Sequence, residues 1–448
     1  MGNPRKTAVQ ALWKLNRQAG YSNLVIDRAM EEDGLDARDR GLATALFYGV
    51  LERRITLDYI LEKFSSRSLD RLPGPVVEIL RAGIYQLYFM GKIPAAAAVD
   101  ESVRLTRLLG QDAHSGYVNG VLRTAGREQK TLRYPDEKNS EMRFLEVKYS
   151  CPQTLISLWR ESYGREHTLA LLASLSGRPP LTVRVNTLKT TPEALKEKFE
   201  EEGVTARFSA LPGALELEGL STVQKSPAYR AGLFHVQDLA SQLCCAVLDP
   251  KPGERVYDVC AAPGGKSFTC AERMENRGAL FSFDIYPQKV GLIEQGAARL
   301  GLSSLSAVLR DAAAGSNDLP LADRVLCDLP CSGLGAIRRK PEIRYKPLSE
   351  FDELPGLQLS ILNKTAALVK PGGRLLYSTC TLNPAENGGV AEAFLKENPE
   401  FEPEPIVCPA GFESAIPEPE NQRTLFPHSH GTDGFFLACF RKKQNDRF

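Results

Sequence analysis

The chain has 448 residues, of which 43% are hydrophobic and 25% are charged, as in globular proteins. This length predicts about three domains. No apolar run approaches the roughly 18–20 residues needed to cross a bilayer, so we expect no membrane-spanning segment. Because 56 Lys and Arg balance 55 Asp and Glu, overall charge does not by itself indicate a nucleic-acid partner.

The ten cysteines are irregularly spaced, with no C-x-x-C pair and only five histidines to complete a zinc site. Several lie within apolar segments, where free cysteine behaves as a small hydrophobe: Cys244, Cys260, Cys270, Cys327 and Cys439. We therefore expect no metal site and a reducing compartment. The start, "MGNPRKTAVQALWK", lacks the apolar core of a secretory signal, so we expect a cytoplasmic protein.

Residues 1–130 are predicted to form a bundle of about six helices. The stretch "AVQALWKLNRQ" places Val9, Leu12 and Leu15 on one helical face. The stretch "RLPGPVVEILRAGIYQLYFM" contains a Pro-Gly-Pro break that starts a new helix. By itself this pattern indicates only a helical domain.

Residues 131–234 are predicted to contain a linker and a small α+β module. Residues 131–150 are charged and irregular, and "TLISLWRESYGREHTLALLASLSG" indicates two helices. "LTVRVNTLK" is a strand by β-branched alternation. "TPEALKEKFEEEG" is a short helix with Thr191 as N-cap and Gly203 at its end. Two further short strands are expected in "ALELEG" and "GLFHVQD".

From about residue 235 onwards, strands alternate with helices, which predicts parallel βαβ units. The strand candidates are "RVYDVCA", "ALFSFDI", "LSAVLRD", "RVLCDLP", "GRLLYSTC" and "GFFLACFRK". The last strand is expected to be antiparallel, because too little chain remains for a crossover.

Each of the first five candidate strands ends in a polar or reactive residue. In an open α/β sheet, ligands bind beyond the carboxyl ends of the strands. We therefore expect one crevice to be lined by Asp258, Asp284, Asp311, Asp328 with Cys331, and Cys380.

The loop "DVCAAPGGKS" joins a strand to a helix, and its two glycines allow a ligand to approach the backbone. The following helix N-terminus favours a carboxylate or phosphate. With Asp284 placed to accept ribose hydroxyls and Asp311 near an adenine, the pattern favours S-adenosylmethionine over an ordinary strand-to-helix turn. The residues expected to bind this cofactor are Cys260, Ala261, Ala262, Pro263, Gly264, Gly265, Lys266, Asp284, Asp311 and Asp328.

Cys331 and Cys380 follow neighbouring strand candidates. Either one alone could be a core cysteine or a reactive thiol. A nucleophilic thiol needs partial exposure and nearby donors, because an unperturbed thiol is only about 3% ionised at neutral pH. As a pair at strand ends with Asp328 between them, they favour a functional role over core filling.

The stretches "DVCAAPGGKS", "DLPCSGLGAIRRKPEIRY", "YSTCTLNPAEN" and "GTDGFFLACFRK" closely resemble the RNA cytosine-C5 methyltransferases of the Nol1/Nop2/Sun family. "DRGLATALFYGVLERRITLDYIL", "AVDESVRLTRLLG" and "GYVNGVLR" resemble the antitermination factor NusB. This fusion is typical of the bacterial branch that methylates a cytosine of 16S ribosomal RNA. The resemblance implies a NusB-like helical RNA-binding domain (1–130), linker helices with an RRM-like module (131–234), and a Rossmann-like α/β methyltransferase domain with a mostly parallel sheet (235–448).

In DNA cytosine methyltransferases the Pro-Cys cysteine is the nucleophile, which makes Cys331 the obvious candidate. The RNA family instead uses the Thr-Cys cysteine. The resemblance therefore implies that Cys380 adds to C6 of cytosine and that Cys331 assists release of the methylated RNA. It also implies that Asp328 binds the N3/N4 edge of the base, and that Lys266 orients either Asp328 or the cofactor side of the site.

The expected partner is 16S ribosomal RNA before full subunit assembly, bound by a monomer without a metal. The helical domain and the middle module are expected to grip folded RNA. The segment "RRKPEIRYK" is expected to hold phosphates with Tyr345 as a stacking surface, unless it is only a solvated basic loop. The alternatives are a transfer-RNA cytosine-C5 methyltransferase and a non-catalytic RNA-binding or antitermination factor, which would leave both cysteines without a role.

Overall fold

The computed structural model describes residues 2–17, 20–177, 179–220, 222–314 and 319–444. The chain divides into two compact units, Met1–Ser176 with Arg339–Lys346, and Gly177–Arg338 with Pro347–Phe448. The first unit is discontinuous in sequence, because a short stretch from the C-terminal half belongs to it. Among the described residues, no helix has both the length and the apolar character that a membrane crossing needs.

The three predicted domain boundaries stay a prediction. Residues 315–318 and 445–448 of the predicted 235–448 domain lie outside the described residues.

The first unit begins with seven α-helices where about six are predicted. They are α1 (Pro4–Arg17), α2 (Ser22–Glu32), α3 (Ala37–Glu52), α4 (Arg54–Phe64), α5 (Gly74–Phe89), α6 (Ala95–Leu108) and α7 (Ser115–Arg127). Arg53 separates α3 from α4 with a non-helical backbone (φ −118°, ψ 18°), which the continuous apolar periodicity did not reveal. Val9 and Leu12 are fully buried, and Leu15 packs against the same core, as predicted.

Two further helices complete this unit, α8 (Glu141–Tyr149) and α9 (Gln153–Ser174). Part of the stretch 131–150, expected to be an irregular linker, is therefore helical, and Leu145 and Val147 of α8 are buried. Gly164 has a non-helical backbone inside α9 (φ 80°, ψ 168°), so the segment consists of two helical pieces, as predicted.

The second unit opens with a small four-stranded antiparallel sheet in the order β2-β3-β1-β4. Its elements are β1 (Leu181–Val185), α10 (Pro192–Glu201), β2 (Thr205–Phe208), β3 (Ala214–Glu218), α11 (Pro227–Arg230) and β4 (Phe234–Val236). The side chain of Thr191 accepts a hydrogen bond from the Ala194 amide at 3.2 Å, which confirms it as the N-cap of α10. The small α+β module is therefore confirmed, and β2 was not predicted.

The remaining chain alternates helices and strands around one eight-stranded sheet. Its elements are α12 (Leu239–Leu248), β5 (Arg255–Asp258), α13 (Gly265–Arg273), β6 (Ala279–Asp284), α14 (Pro287–Leu300), β7 (Leu305–Leu309), β8 (Ala322–Asp328), α15 (Leu354–Ala366), β9 (Val369–Thr379), α16 (Gly388–Glu397), β10 (Phe401–Pro403), β11 (Gln422–Leu425), α17 (Pro427–His430) and β12 (Phe435–Lys442). Strands β9, β8, β5, β6 and β7 are parallel and β12 is antiparallel, as predicted.

The strand order β9-β8-β5-β6-β7 reverses direction at β5. The chain runs outward from β5 through β6 to β7, and then continues on the other side of β5 with β8 and β9. Such a reversal opens a crevice at the carboxyl ends of the strands, where ligands of α/β proteins bind. The predicted fold class is confirmed.

At β1, both faces of the small sheet are covered. Val183 and Val185 pack with Leu195 of α10 on one face. On the other face, Arg184 lies 2.6 Å from Glu272 of α13, and both side chains are nearly buried. At β1 the small sheet therefore packs against α13 of the larger sheet's domain.

Candidate active site

The acidic residues predicted to share a crevice follow parallel strands that lie next to each other. Asp258, Asp284 and Asp328 are the last residues of β5, β6 and β8, and Cys380 directly follows β9. Asp311 lies two residues beyond the end of β7. Because these five strands are parallel neighbours, their carboxyl ends meet at one edge of the sheet.

The loop between β5 and α13 closes in a tight turn that requires a glycine at position 264. Gly264 adopts a left-handed backbone (φ +105°), and a Cβ at this position would lie 2.5 Å from the Phe268 ring. The Gly264 amide donates to the Ala261 carbonyl at 2.7 Å, which closes the turn before α13. The N-terminus of α13 therefore opens onto the loop, with amides that favour a carboxylate.

Asp258 lies under this loop, with only 2% of its surface exposed. Its Oδ2 accepts a hydrogen bond from Ser267 Oγ at 2.6 Å, and its Oδ1 has no hydrogen-bond partner. Burial raises the pKa of Asp258 to about 7, against the opposing hydrogen bond from Ser267. This carboxyl is a buried, titratable support of the loop.

Asp284 and Asp311 differ in their surroundings. Asp284 is 7% exposed, and its Oδ1 accepts from the Tyr286 amide at 3.1 Å. Asp311 is exposed, and its Oδ1 accepts from the Ala313 amide at 2.8 Å. The buried carboxylate of Asp284 is therefore the better fixed of the two.

Two exposed apolar residues beside Asp284 were missed by the sequence reasoning. Ile285 directly follows Asp284 and is 50% exposed. Leu309 of β7 pairs with Asp284 in the strand register and is 55% exposed. Exposed apolar side chains at strand ends offer a surface to a flat ring such as adenine. The signal in the sequence was an apolar residue immediately after the strand-ending acid.

This part of the chain fits S-adenosylmethionine. The left-handed backbone of Gly264 closes the turn before α13, the α13 N-terminus suits the methionine carboxylate, and Asp284 can accept from ribose hydroxyls. No step of the chemistry requires a metal, and within the described ranges no three His, Cys, Asp or Glu side chains are grouped as metal ligands.

Asp328 is held by two side chains. Lys266 Nζ lies 2.7 Å from Asp328 Oδ2, and Ser378 Oγ donates to Asp328 Oδ1 at 2.8 Å. Burial lowers the pKa of Lys266, but the charge and hydrogen bond of Asp328, together with Cys244 and Cys245, raise it overall. Lys266 was expected to orient either Asp328 or the cofactor side of the site, and the structure places it beside Asp328.

The two candidate cysteines meet at the ends of β8 and β9. Their Sγ atoms are 3.3 Å apart, and both residues are partly exposed. The hydrogen bond with Cys380 raises the pKa of the Cys331 thiol well above its ordinary value, and burial and the charge of Glu386 raise it further. The two thiols are therefore coupled, and either sulfur can donate its S–H to the other.

The backbone around both cysteines is cross-linked by hydrogen bonds. The Leu329 amide donates to the Ser378 carbonyl, and the Gly335 amide donates to the Cys380 carbonyl, each at 3.0 Å. Ser332 Oγ and Thr381 Oγ1 are 2.6 Å apart. These contacts fix the spacing of the two sulfurs.

The remaining cysteines are not part of this pair. All ten cysteines are free of disulfides. Cys244, Cys270, Cys327 and Cys439 are buried as predicted, whereas Cys260 in the glycine loop is partly exposed.

The basic segment after Cys331 does not have the predicted role at two of its residues. Arg344 is 2% exposed, and its Nη1 donates to the carbonyls of Glu52, Tyr149 and Ser150. The Tyr345 hydroxyl donates to the Leu51 carbonyl at 2.7 Å. The guanidinium of Arg54 lies 5.4 Å from the centre of the Tyr345 ring.

These contacts lie within the first unit, to which residues 339–346 belong. Arg344 is therefore neither a phosphate ligand nor part of a solvated loop. The prediction of Tyr345 as a base-stacking surface is also wrong, because its hydroxyl is engaged and a ring face is covered by Arg54.

Comparison with known proteins agrees with this arrangement. The family model "16S rRNA methyltransferase RsmB/F" matches residues 245–441, the NusB family model matches residues 2–127, and the ferredoxin-like domain of RsmF/B-like methyltransferases matches residues 151–224. The crystal structure of PH0851 superposes with a TM-score of 0.83 at 28% identity, covering 98% of this chain and 99% of that chain.

Curated relatives match along the full length. The chain is 37% identical to the "Probable ribosomal RNA small subunit methyltransferase B" of Bacillus subtilis (strain 168), covering 98% of each chain. It is 36% identical to the protein of the same name from Synechocystis sp., covering 99% of this chain and 100% of that one. The chain therefore belongs to the RsmB/F family of S-adenosylmethionine-dependent 16S rRNA methyltransferases.

Proposed function

We propose that this protein forms 5-methylcytosine in 16S ribosomal RNA, with Cys380 as the nucleophile. The observation that carries the proposal is the 3.3 Å approach of the Cys331 and Cys380 sulfurs beside the Lys266–Asp328 pair. The names of the full-length relatives support a small-subunit ribosomal RNA substrate.

Covalent addition solves the difficulty of methylating C5 of cytosine, which is a weak nucleophile. The thiolate of Cys380 adds to C6, and the electrons of the C5–C6 double bond make C5 electron-rich. When bound, S-adenosylmethionine supplies a methyl group on a positively charged sulfur. C5, made electron-rich by the addition of Cys380, would take this methyl group as the methyl–sulfur bond breaks.

The pair of sulfurs supports the assignment of Cys380 as the thiolate. The raised pKa of Cys331 leaves its S–H able to donate towards Cys380 Sγ. A thiolate that accepts such a hydrogen bond is stabilised, and the thiolate is the attacking form of cysteine. In this proposal Cys331 is the donor and Cys380 is the nucleophile.

Asp328 orients and selects the base. Held by Lys266 and Ser378, its carboxylate is fixed at the end of β8. It can accept hydrogen bonds from the N4 amino group and from a protonated N3, which stabilises the ring as Cys380 adds. Uracil has no N4 amino group, so it loses this interaction.

Release reverses the addition. Transfer of the C5 proton to water returns the electrons of the C5–H bond to the C5–C6 bond, and the Cys380 sulfur leaves as a thiolate. Cys331 is beside that sulfur and is placed to assist this step. A paired target cytosine would first have to leave its stack, at a cost of a few kcal/mol.

We further infer that the enzyme is monomeric, acts in the cytoplasm and binds the RNA before the subunit is fully assembled. The first unit, which contains the NusB family match, is the expected grip on folded RNA.

The proposal is tested by bisulfite sequencing of total RNA from cells that lack this protein. Loss of one 5-methylcytosine in 16S ribosomal RNA, restored by the wild-type chain but not by Cys380→Ala, is the expected result. Loss of a transfer-RNA methylation with intact 16S methylation would replace the proposal with the transfer-RNA alternative.

A further inference from the structure

A buried carboxylate lies between the loops that carry the two cysteines. Glu386 has no solvent exposure and ends the short turn Pro384–Glu386 that follows Cys380. Its Oε2 accepts from the Ser332 amide at 2.8 Å and from Gln358 Nε2 at 3.0 Å. Its Oε1 accepts from Asn383 Nδ2 at 3.0 Å. All three partners are donors, so the ionised carboxylate suits the site.

Gln358 of α15 extends this arrangement to the other side of Cys331. Its Nε2 also donates to the Pro330 carbonyl at 2.9 Å, and its Oε1 accepts from the Tyr377 hydroxyl at 3.2 Å. Both residues that flank Cys331 are therefore held by hydrogen bonds. Gln358 binds the Pro330 carbonyl, and Glu386 binds the Ser332 amide.

The same turn also fixes the Cys380 side. The Tyr377 hydroxyl donates to the backbone carbonyl of Glu386. Asn387, the next residue, donates through Nδ2 to the Thr381 carbonyl at 3.0 Å. The carboxylate is thus anchored to β9, the strand that delivers Cys380, while its oxygens hold the loop of Cys331.

We propose that Glu386 is a positioning residue that keeps the Cys331 sulfur beside the Cys380 sulfur during release of the methylated cytosine. The inference rests on the proposed function, in which Cys331 assists that release. Glu386 touches neither sulfur in this role, because it acts through the backbone of Pro330 and Ser332.

The test uses Glu386→Gln in the full-length protein with its target RNA and S-adenosylmethionine. Glutamine has the same shape as glutamate, but one of its two terminal atoms is an amino group. This group faces hydrogen-bond donors and cannot accept from them. We expect formation of the covalent protein–RNA adduct to stay within about threefold of wild type, and its release to slow about tenfold or more, the effect of a lost hydrogen bond to a charged group. Glu392→Gln, an exposed site on α16, is the matched control and should change neither rate.

A double substitution separates positioning from general damage. Because Glu386 acts through Cys331, Cys331→Ala with Glu386→Gln should release adduct no more slowly than Cys331→Ala alone. Further slowing in the double variant would overturn the proposal. So would equal slowing of adduct formation and release in Glu386→Gln.

If Glu386→Gln fails to fold, Gln358→Met removes the hydrogen bond to the Pro330 carbonyl and should show the same selective delay in release. An unchanged release rate there would overturn the proposal.

If no variant forms an adduct, Cys331→Ala included, then the proposed covalent mechanism itself fails. If Cys331→Ala accumulates adduct and Glu386→Gln does not, only the positioning role fails.

Discussion

The sulfur of Cys331 lies 3.3 Å from the sulfur of Cys380, although 49 residues separate them in sequence. Each cysteine follows the carboxyl end of its strand, and β8 and β9 are adjacent and parallel. The hydrogen bond to Cys380 and burial raise the pKa of Cys331. The protonation of one thiol therefore depends on that of its neighbour.

Replacing either cysteine with alanine should give opposite results on a denaturing gel. Cys380→Ala is expected to abolish methylation and form no covalent adduct, because the attacking sulfur is absent. Cys331→Ala is expected to accumulate a protein–RNA adduct that survives denaturation. Labelled target RNA and gel mobility measure both. An adduct in Cys380→Ala but not in Cys331→Ala would reverse the two assignments.

Asp328→Asn should slow the addition step. The substitution removes the carboxylate that Lys266 and Ser378 hold, so stabilisation of the protonated ring is lost. We expect adduct formation to fall about 10²- to 10³-fold, as for other removed electrostatic groups. The rate is measured in a Cys331→Ala background, where the adduct persists. An unchanged rate would exclude Asp328 from the addition step.

Asp284→Asn should weaken cofactor binding more than Asp311→Asn does. Asp284 is buried and fixed by the Tyr286 amide, whereas Asp311 is exposed. Losing charge-assisted hydrogen bonds to ribose hydroxyls should raise the Kd for S-adenosylmethionine about 10- to 100-fold. Calorimetric titration of the two variants side by side provides the comparison. Equal affinities for both variants would contradict the ribose assignment.

The buried carboxyl of Asp258 should make stability depend on pH. Its pKa is raised to about 7 by burial, against an ordinary value of 3.8 in the unfolded chain. Between these values the folded state binds one more proton than the unfolded state does. Rising pH from about 4 to about 7 therefore weakens folding, by an amount on the order of 4 kcal/mol.

Asp258→Asn removes this titration. The melting temperature of the variant relative to wild type should accordingly rise as the pH increases from about 4 to about 8, because only the wild type loses the proton. Thermal melting at matched ionic strength measures the difference. A difference that stays constant over this range would show that Asp258 is ionised throughout.

The buried ion pair of Arg184 and Glu272 should be sensitive to loss of one partner. Arg184→Met leaves Glu272 nearly buried without its cation, which is expected to cost about 3–5 kcal/mol. Arg277→Gln breaks an exposed pair with Glu275 and should cost less than about 1 kcal/mol. Melting temperatures of the two variants test the contrast. Similar melting temperatures for both variants would mean that the Arg184–Glu272 pair does not stabilise the packing of β1 against α13.

Short-range sequence patterns predicted most of the sheet. Asp258, Asp284 and Asp328 could be placed at strand ends because each ends a run of β-branched or apolar residues. The turn residues on either side show where each run begins and ends. Cys331 and Cys380 could be paired because consecutive crossover strands often lie side by side. These signals depend on residues close together in sequence.

The missed features depend on residues that are far apart. Strands β10 and β11 have only three and four residues, too few to show alternation. Glu386 lies in the motif that contains Cys380, but its partners Ser332 and Gln358 are 54 and 28 residues away. Arg344 was expected to hold a phosphate, because nothing nearby in sequence shows its burial among carbonyl groups.

The placement of residues 339–346 in the first unit affects how the chain can be divided. Arg344 supplies hydrogen bonds to carbonyls of Glu52, Tyr149 and Ser150, and Tyr345 supplies one to Leu51. A fragment that ends at Ser176 lacks these donors, and one that begins at Gly177 carries a guanidinium without its acceptors. Exchange of the N-terminal portion between relatives would therefore have to graft this eight-residue stretch along with it.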